Sequence, residues 1–84
     1  MKATIFMNNG REISLDEESY LNDQQFDDVR DNCDFEEFIA SIMFSQNSIT
    51  TVKKQYKNSN GIIYKEYVEY LRNDQISNIL IKTL

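Results

Sequence analysis

The chain has two glycines, and each follows an asparagine: Asn9-Gly10 and Asn60-Gly61. Asn-Gly supplies two adjacent residues that tolerate a positive φ, the requirement of a tight β-hairpin loop. The first pair lies between "KATIFM" and "REISL". A two-residue loop there sets Phe6 opposite Ile13 and Thr4 opposite Leu15. Phe6, Ile13 and Leu15 then share one apolar face. Ile5 and Met7 fall on the other face with Glu12 and Ser14.

The second pair ends the turn "KNSNG", after the β-branched and basic stretch "SITTVKKQY". The segment that follows, "IIYKEYVEYLR", has two readings. As a strand it sets Ile62, Tyr64, Val68 and Tyr70 on one face, interrupted by Glu66. As a helix it gathers Ile63, Tyr64, Tyr67, Val68 and Leu71, with Lys65 and Glu69 as an i, i+4 pair. The turn before it favours the strand. "NDQISNILIKTL" closes the chain, either as a helical stripe of Ile76, Ile79, Leu80 and Leu84 or as an edge strand.

Between the hairpins the periodicity changes. Asn22 and Gln25 fit a capping box, which starts a helix near Asp23 that carries Phe26, Val29 and Cys33 on one side. Phe35, Phe38, Ile39, Ile42 and Met43 form a second helical stripe. At ~100° per residue the two stripes sit roughly 150° apart, so one helix cannot present both to one core. The break falls at 32–34, and Asp34 with Glu37 forms a second capping box. The expected fold is α+β: an N-terminal β-hairpin, two short helices and a second β-hairpin or strand unit, with one sheet packed on the helices. Eighty-four residues make this a single domain over 1–84.

Charge is unevenly spread. Net charge is −5. Residues 12–37 hold eleven carboxylates against the single Arg30, whereas the flanking segments are net positive. Histidine is absent, which removes the usual proton shuttle at neutral pH and the commonest transition-metal ligand. Catalysis is therefore not expected. The acidic block fits no EF-hand register: starting at Asp27 puts Val29 at position three and Phe38 at twelve, and starting at Asp23 puts Asp28 where glycine belongs. No metal or other cofactor is expected. The one cysteine, Cys33, precludes an internal disulfide, and the N-terminus shows no signal-peptide apolar region. Both favour a cytoplasmic protein, in a bacterial cell on the resemblance given below, without a membrane span.

Three surfaces are candidates for contact. Asp34, Glu36 and Glu37 suit the start of a helix. Even so, Asp23, Asp27, Asp28, Asp31, Glu36 and Glu37 together form an acidic surface. Charges about 5–6 Å apart along a helix can imitate a nucleic-acid backbone and occupy a basic groove on another protein. Lys53 and Lys54, interleaved with tyrosines, offer a second surface and a weaker case for direct nucleic-acid binding. Tyr67 and Tyr70 suit an interface, because tyrosine buries area at low entropic cost. Tyr64 is expected in the core, as is Cys33 beside Phe26 and Val29.

Abundant Asn, Ile and Lys, the opening "MKATIFMNNGREISL" and the "NSITTVKK" strand after an acidic segment resemble small proteins carried by phages and prophages of AT-rich Gram-positive bacteria. That resemblance implies a protein that binds and redirects a host or competitor protein, such as an inhibitor of restriction, of CRISPR nucleases or of replication. The functional expectation is a small acidic protein that binds a basic or nucleic-acid-acting partner. A homodimeric regulatory or structural protein is the alternative, and a nucleic-acid binder using the Lys/Tyr strand is the third.

Overall fold

The computed structural model describes residues 1–43 and 45–82. In chain order it contains β1 (Lys2–Met7), β2 (Glu12–Asp16), β3 (Tyr20–Leu21), β4 (Gln24–Gln25), a 3-10 turn (Phe26–Asp28), α1 (Phe35–Met43), β5 (Ile49–Lys57), β6 (Ile63–Arg72), a second 3-10 turn (Asn73–Gln75) and β7 (Ile76–Lys82). The strands form two antiparallel sheets, ordered β2-β1-β7 and β4-β3-β5-β6. This corrects the expected fold. The protein is mostly β, with one α-helix among the described residues and two sheets rather than one.

The first hairpin forms where Asn9-Gly10 predicts it, in a different register. The Met7 N–H donates to the Arg11 carbonyl at 2.8 Å, and the Gly10 N–H donates to the Met7 carbonyl at 3.0 Å. The loop is therefore Asn8-Asn9-Gly10, three residues long, with Gly10 at φ +91°. Three-residue loops end on such a left-handed residue. Ile5 now faces Ile13, and Ala3 faces Leu15. A one-residue slip exchanges the two faces of a strand. Ala3, Ile5, Met7, Ile13 and Leu15 are accordingly buried, while Phe6 lies half-buried on the opposite face.

The helix expected from Asp23 does not form. Asn22 and Asp23 both have positive φ, 51° and 65°. They link Leu21 and Gln24, which pair directly, so they form a two-residue hairpin loop of the I′ kind. Asn22 is tied to β5 at both ends: its N–H donates to the Thr51 carbonyl at 2.9 Å, and its Oδ1 accepts from the Thr51 N–H at 3.0 Å. Only a single 3-10 turn follows, over Phe26–Asp28. It buries Phe26 edge-on against Phe35, with ring centroids 5.5 Å apart. Val29 and Cys33 pack partly buried against the same core.

The helix α1 begins as its sequence dictates. The Glu37 N–H donates to Asp34 Oδ1 at 2.8 Å, and the Asp34 N–H donates to Glu37 Oε1 at 3.2 Å. Phe35, Phe38, Ile39 and Ile42 are buried; the Met43 side chain, like Leu84, lies outside the described residues. Near its end the helix leaves carbonyls without intrahelical partners. Asn73 takes one of them, donating from Nδ2 to the Ile42 carbonyl at 3.2 Å while its Oδ1 accepts from the fully buried Thr50 hydroxyl at 2.6 Å. Helix, β5 and the turn after β6 are joined through this one side chain.

The last segment is a strand, β7, paired with β1 so that Ile79 faces Ile5 and Ile81 faces Ala3. The hydrophobic core thus draws on β1 and β2, on α1, and on single residues of the second sheet: Leu21, Val52 and Leu71.

Candidate functional site: the β5–β6 arm

Strands β5 and β6 pair from Ile49–Arg72 at the base to Lys57–Ile63 at the tip. Their loop repeats the chemistry of the first hairpin. The Gly61 N–H donates to the Asn58 carbonyl, the Asn58 N–H donates to the Ile62 carbonyl, both at 3.0 Å, and Gly61 has φ +79°. Alternation of side chains divides the arm into two faces. Thr50, Val52, Lys54 and Tyr56 share the inner face with Leu71, Glu69, Tyr67 and Lys65. Thr51, Lys53 and Gln55 share the outer face with Tyr70, Val68 and Glu66.

Only the base of the arm is anchored. Thr50, Val52 and Leu71 are buried, and no residue from Lys53 to Tyr70 is. Outward from there the arm passes the helix and the first sheet, and its apolar side chains stand in water. Ile62, Tyr64 and Tyr70 are exposed to 61%, 68% and 70%. Val68, Ile49, Ile63 and Tyr56 are exposed as well. Tyr64 was expected in the core; it is the extra residue of a β-bulge on an uncovered arm, so no core reaches it. Of the exposed side chains, Val68 and Tyr70 lie together on the outer face.

Of the four sequence candidates here, Lys53 and Tyr70 lie on the outer face, and Lys54 and Tyr67 on the inner. The lysines lie against aromatic rings of the same chain: Lys53 over Tyr20 at 4.5 Å, Lys54 over Tyr67 at 5.9 Å and Lys65 over Tyr56 at 5.5 Å. Rings and cations that satisfy one another are less available to stack bases and hold phosphates. Glu69 is similarly engaged, accepting from Arg11 and from the Tyr67 hydroxyl. That hydrogen bond and the carboxylate charge raise the Arg11 pKa above its ordinary value. Beside the arm an open groove of about 450 Å³ is lined by Lys2, Asp16 and Glu18 on one side and by Lys54, Lys57 and Tyr64 on the other.

The acidic candidates all lie on the surface, but on a series of turns rather than along one helix. Asp23 sits in the β3–β4 loop, Asp27 and Asp28 in the 3-10 turn, Asp31 in the turn after it, and Glu36 and Glu37 in the first turn of α1. Three of the six have internal partners. Asp27 binds Arg30 at 2.7 Å, Asp28 accepts from the Gln25 N–H at 3.1 Å, and Glu37 caps α1. Arg30 also approaches Glu17 at 3.7 Å and covers the Phe26 ring at 4.6 Å; its hydrogen bond to Asp27 raises its pKa.

Among the described residues no cluster of three or more His, Cys, Asp or Glu side chains is arranged to hold a metal ion. No helix among them is long and apolar enough to cross a membrane. Comparison of the chain with protein-family models, with curated proteins and with solved structures gave no match.

The sequence signal for the arm was partly readable. The strand reading of 62–72 sets Ile62, Tyr64, Val68 and Tyr70 on one face; the bulge at Tyr64 breaks that alternation and leaves Val68 and Tyr70 together. What the sequence lacks is any mark that nothing covers that face, since the same alternation would serve a buried sheet.

Proposed function

We propose that this protein acts by contact, and that the outer face of the β5–β6 arm is the surface with which it grips another protein. One observation carries the reading: Val68 and Tyr70 share the outer face and stand exposed, with Ile62, Ile63 and Tyr64 exposed toward the tip, on an arm with no buried residue between Lys53 and Tyr70. Tyrosine is among the side chains enriched where interfaces gain most of their energy, and it buries a large area at low entropic cost. The missing histidine supports the same reading, as does the resemblance to small phage-borne proteins, which implies a binding role.

The acidic surface has a subordinate place in this proposal. Asp23, Asp31 and Glu36 are exposed, and with their neighbours they concentrate negative charge on the turns between β3 and α1. That field would draw in a basic or nucleic-acid-binding partner and raise its association rate. Adhesion itself is assigned to the arm.

The test is capture of partners from a bacterial lysate by the immobilised protein. A variant carrying Tyr64→Ser, Val68→Thr and Tyr70→Ser is run beside it. The expected result is a specific partner lost with that variant and retained, with slower association, when Asp23, Asp31 and Glu36 are changed to their amides. A partner that ignores the arm variant and is lost with the amides would reverse the assignment.

A further inference from the structure

The edge of the arm is a surface separate from its face. Strand β6 ends the sheet order β4-β3-β5-β6, so among the described residues one side of it has no strand beside it. It is the longest edge strand of the fold, with ten residues against seven in β7, five in β2 and two in β4. Natural edges are blunted by lysine, proline or bulges. Here the bulge at Tyr64 and the single Lys65 lie toward the tip, and pairing from Glu66 to Arg72 is regular.

The hydrogen bonds fix which backbone groups of β6 face outward. Both backbone groups of Thr51 are engaged by Asn22 on the β3 side. The Thr51–Tyr70 pair is therefore one that exchanges no backbone bonds, and the N–H and C=O of Tyr70 point to the open edge. By alternation those of Val68 and Glu66 do too. A second antiparallel strand must meet them with outward-pointing groups of its own.

We infer that the occupant is β6 of a second copy of this chain, paired antiparallel about a two-fold axis at Tyr67. Only registers joining even-numbered residues to even-numbered ones match the outward groups. Centring the axis on Lys65, Glu66 or Glu69 sets like charges face to face. Centring it on Val68 leaves Lys65 against Leu71. Centring it on Tyr67 puts Lys65 opposite Glu69 twice and Glu66 opposite Val68 twice, all on the base side of the bulge. Opposite charges directly across a ladder are a stabilising combination. Glu69 already holds Arg11 and Tyr67, and a carboxylate has acceptor room for one more cation. The product is one eight-stranded sheet in which the outer faces of the two arms become continuous. The inference rests on the arm being the contact surface, but it assigns the edge to self-association and leaves the face for the partner.

The experiment measures mass in solution by sedimentation equilibrium on the full chain. The expected value is twice the 9.9 kDa of the chain. Val68→Pro removes one outward N–H and no bond within the arm, so it should return the mass to that of the monomer with an unchanged circular dichroism spectrum. Should that variant not fold, Lys65→Glu replaces it, with an expected dimer dissociation constant weakened roughly tenfold or more. Register is read by cysteine cross-linking in a Cys33→Ser background. Across the axis Tyr67 faces itself in a non-hydrogen-bonded pair, about 4.5 Å between Cα atoms, within disulfide reach. Tyr67→Cys should therefore cross-link on mild oxidation and Val68→Cys should not. A monomeric mass at every concentration overturns the inference, as does a dimer indifferent to Val68→Pro and Lys65→Glu, or cross-linking at 68 as ready as at 67. A monomer that still captures its partner through Tyr64, Val68 and Tyr70 would leave the proposed function standing alone.

Discussion

The two hairpins of this protein use one loop chemistry and reach opposite ends. In the first, Asn8-Asn9-Gly10 returns the chain so that Ala3, Ile5, Ile13 and Leu15 are all buried. In the second, Ser59-Asn60-Gly61 returns it so that none of the eighteen residues from Lys53 to Tyr70 is. The difference is made by neighbours. β1 is central, flanked by β2 and β7, and gives Ala3, Ile5 and Met7 to the core. The arm has β3 beside only the base of β5, since β3 spans two residues opposite Val52 and Lys53. A strand's alternation states which residues share a face; whether that face is dry depends on what the rest of the chain places over it.

The sharpest way to break this comparison is to truncate one aromatic on each side of it. Phe35 is fully buried against Phe26, so Phe35→Ala should cost about 3–5 kcal/mol, a large part of the stability of a domain this small. Tyr70→Ala on the arm should stay within about 0.5 kcal/mol. Urea unfolding of both variants checks this; comparable losses would mean that the arm belongs to the core.

A smaller effect tests how the arm is anchored. Asn73→Ala leaves the buried Thr50 hydroxyl without its acceptor and the Ile42 carbonyl with only the Ser45 N–H, at 3.3 Å. About 1–3 kcal/mol should be lost. Hydrogen exchange at the base of β5 and at the end of α1 should accelerate together, because one side chain serves both. Exchange that changes at only one of them would separate the two elements.

The smallest effect carries the opposite sign. Asp23 occupies a left-handed backbone conformation at φ 65°. Glycine holds that conformation without the Cβ penalty, so Asp23→Gly should raise stability by up to about 1 kcal/mol in thermal unfolding. Were a helix to start there, the same change would lower it.

That contrast also shows what the sequence could and could not convey. The start of α1 was legible because Asp34 and Glu37 act within four residues of each other, and local chemistry decided the outcome. Asn22 and Asp23 are equally good at beginning a helix and at forming a type I′ turn. Pairing of Asn22 with Thr51, twenty-nine positions away, chose the turn. The first hairpin was legible in place but not in register, since Asn8 allows a third loop residue and one residue exchanges every side chain. Pairing of β7 with β1 joins the two ends of the chain, and a local reading cannot choose among such distant partners. The site followed the same pattern. Tyr67, Tyr70, Lys53 and Lys54 do lie on one arm, but their assignment to opposite faces and the exposure of Tyr64 required the three-dimensional arrangement.

The order of the second sheet has one more consequence. β4, next to the anionic turns, and β6, which bears the tyrosines, lie at opposite margins three strand spacings apart, roughly 14 Å. That exceeds the Debye length of ~8 Å at physiological ionic strength, so the two margins are electrically almost independent. Added salt should mute attraction at one margin and leave adhesion at the other untouched, giving the molecule a bow and a stern.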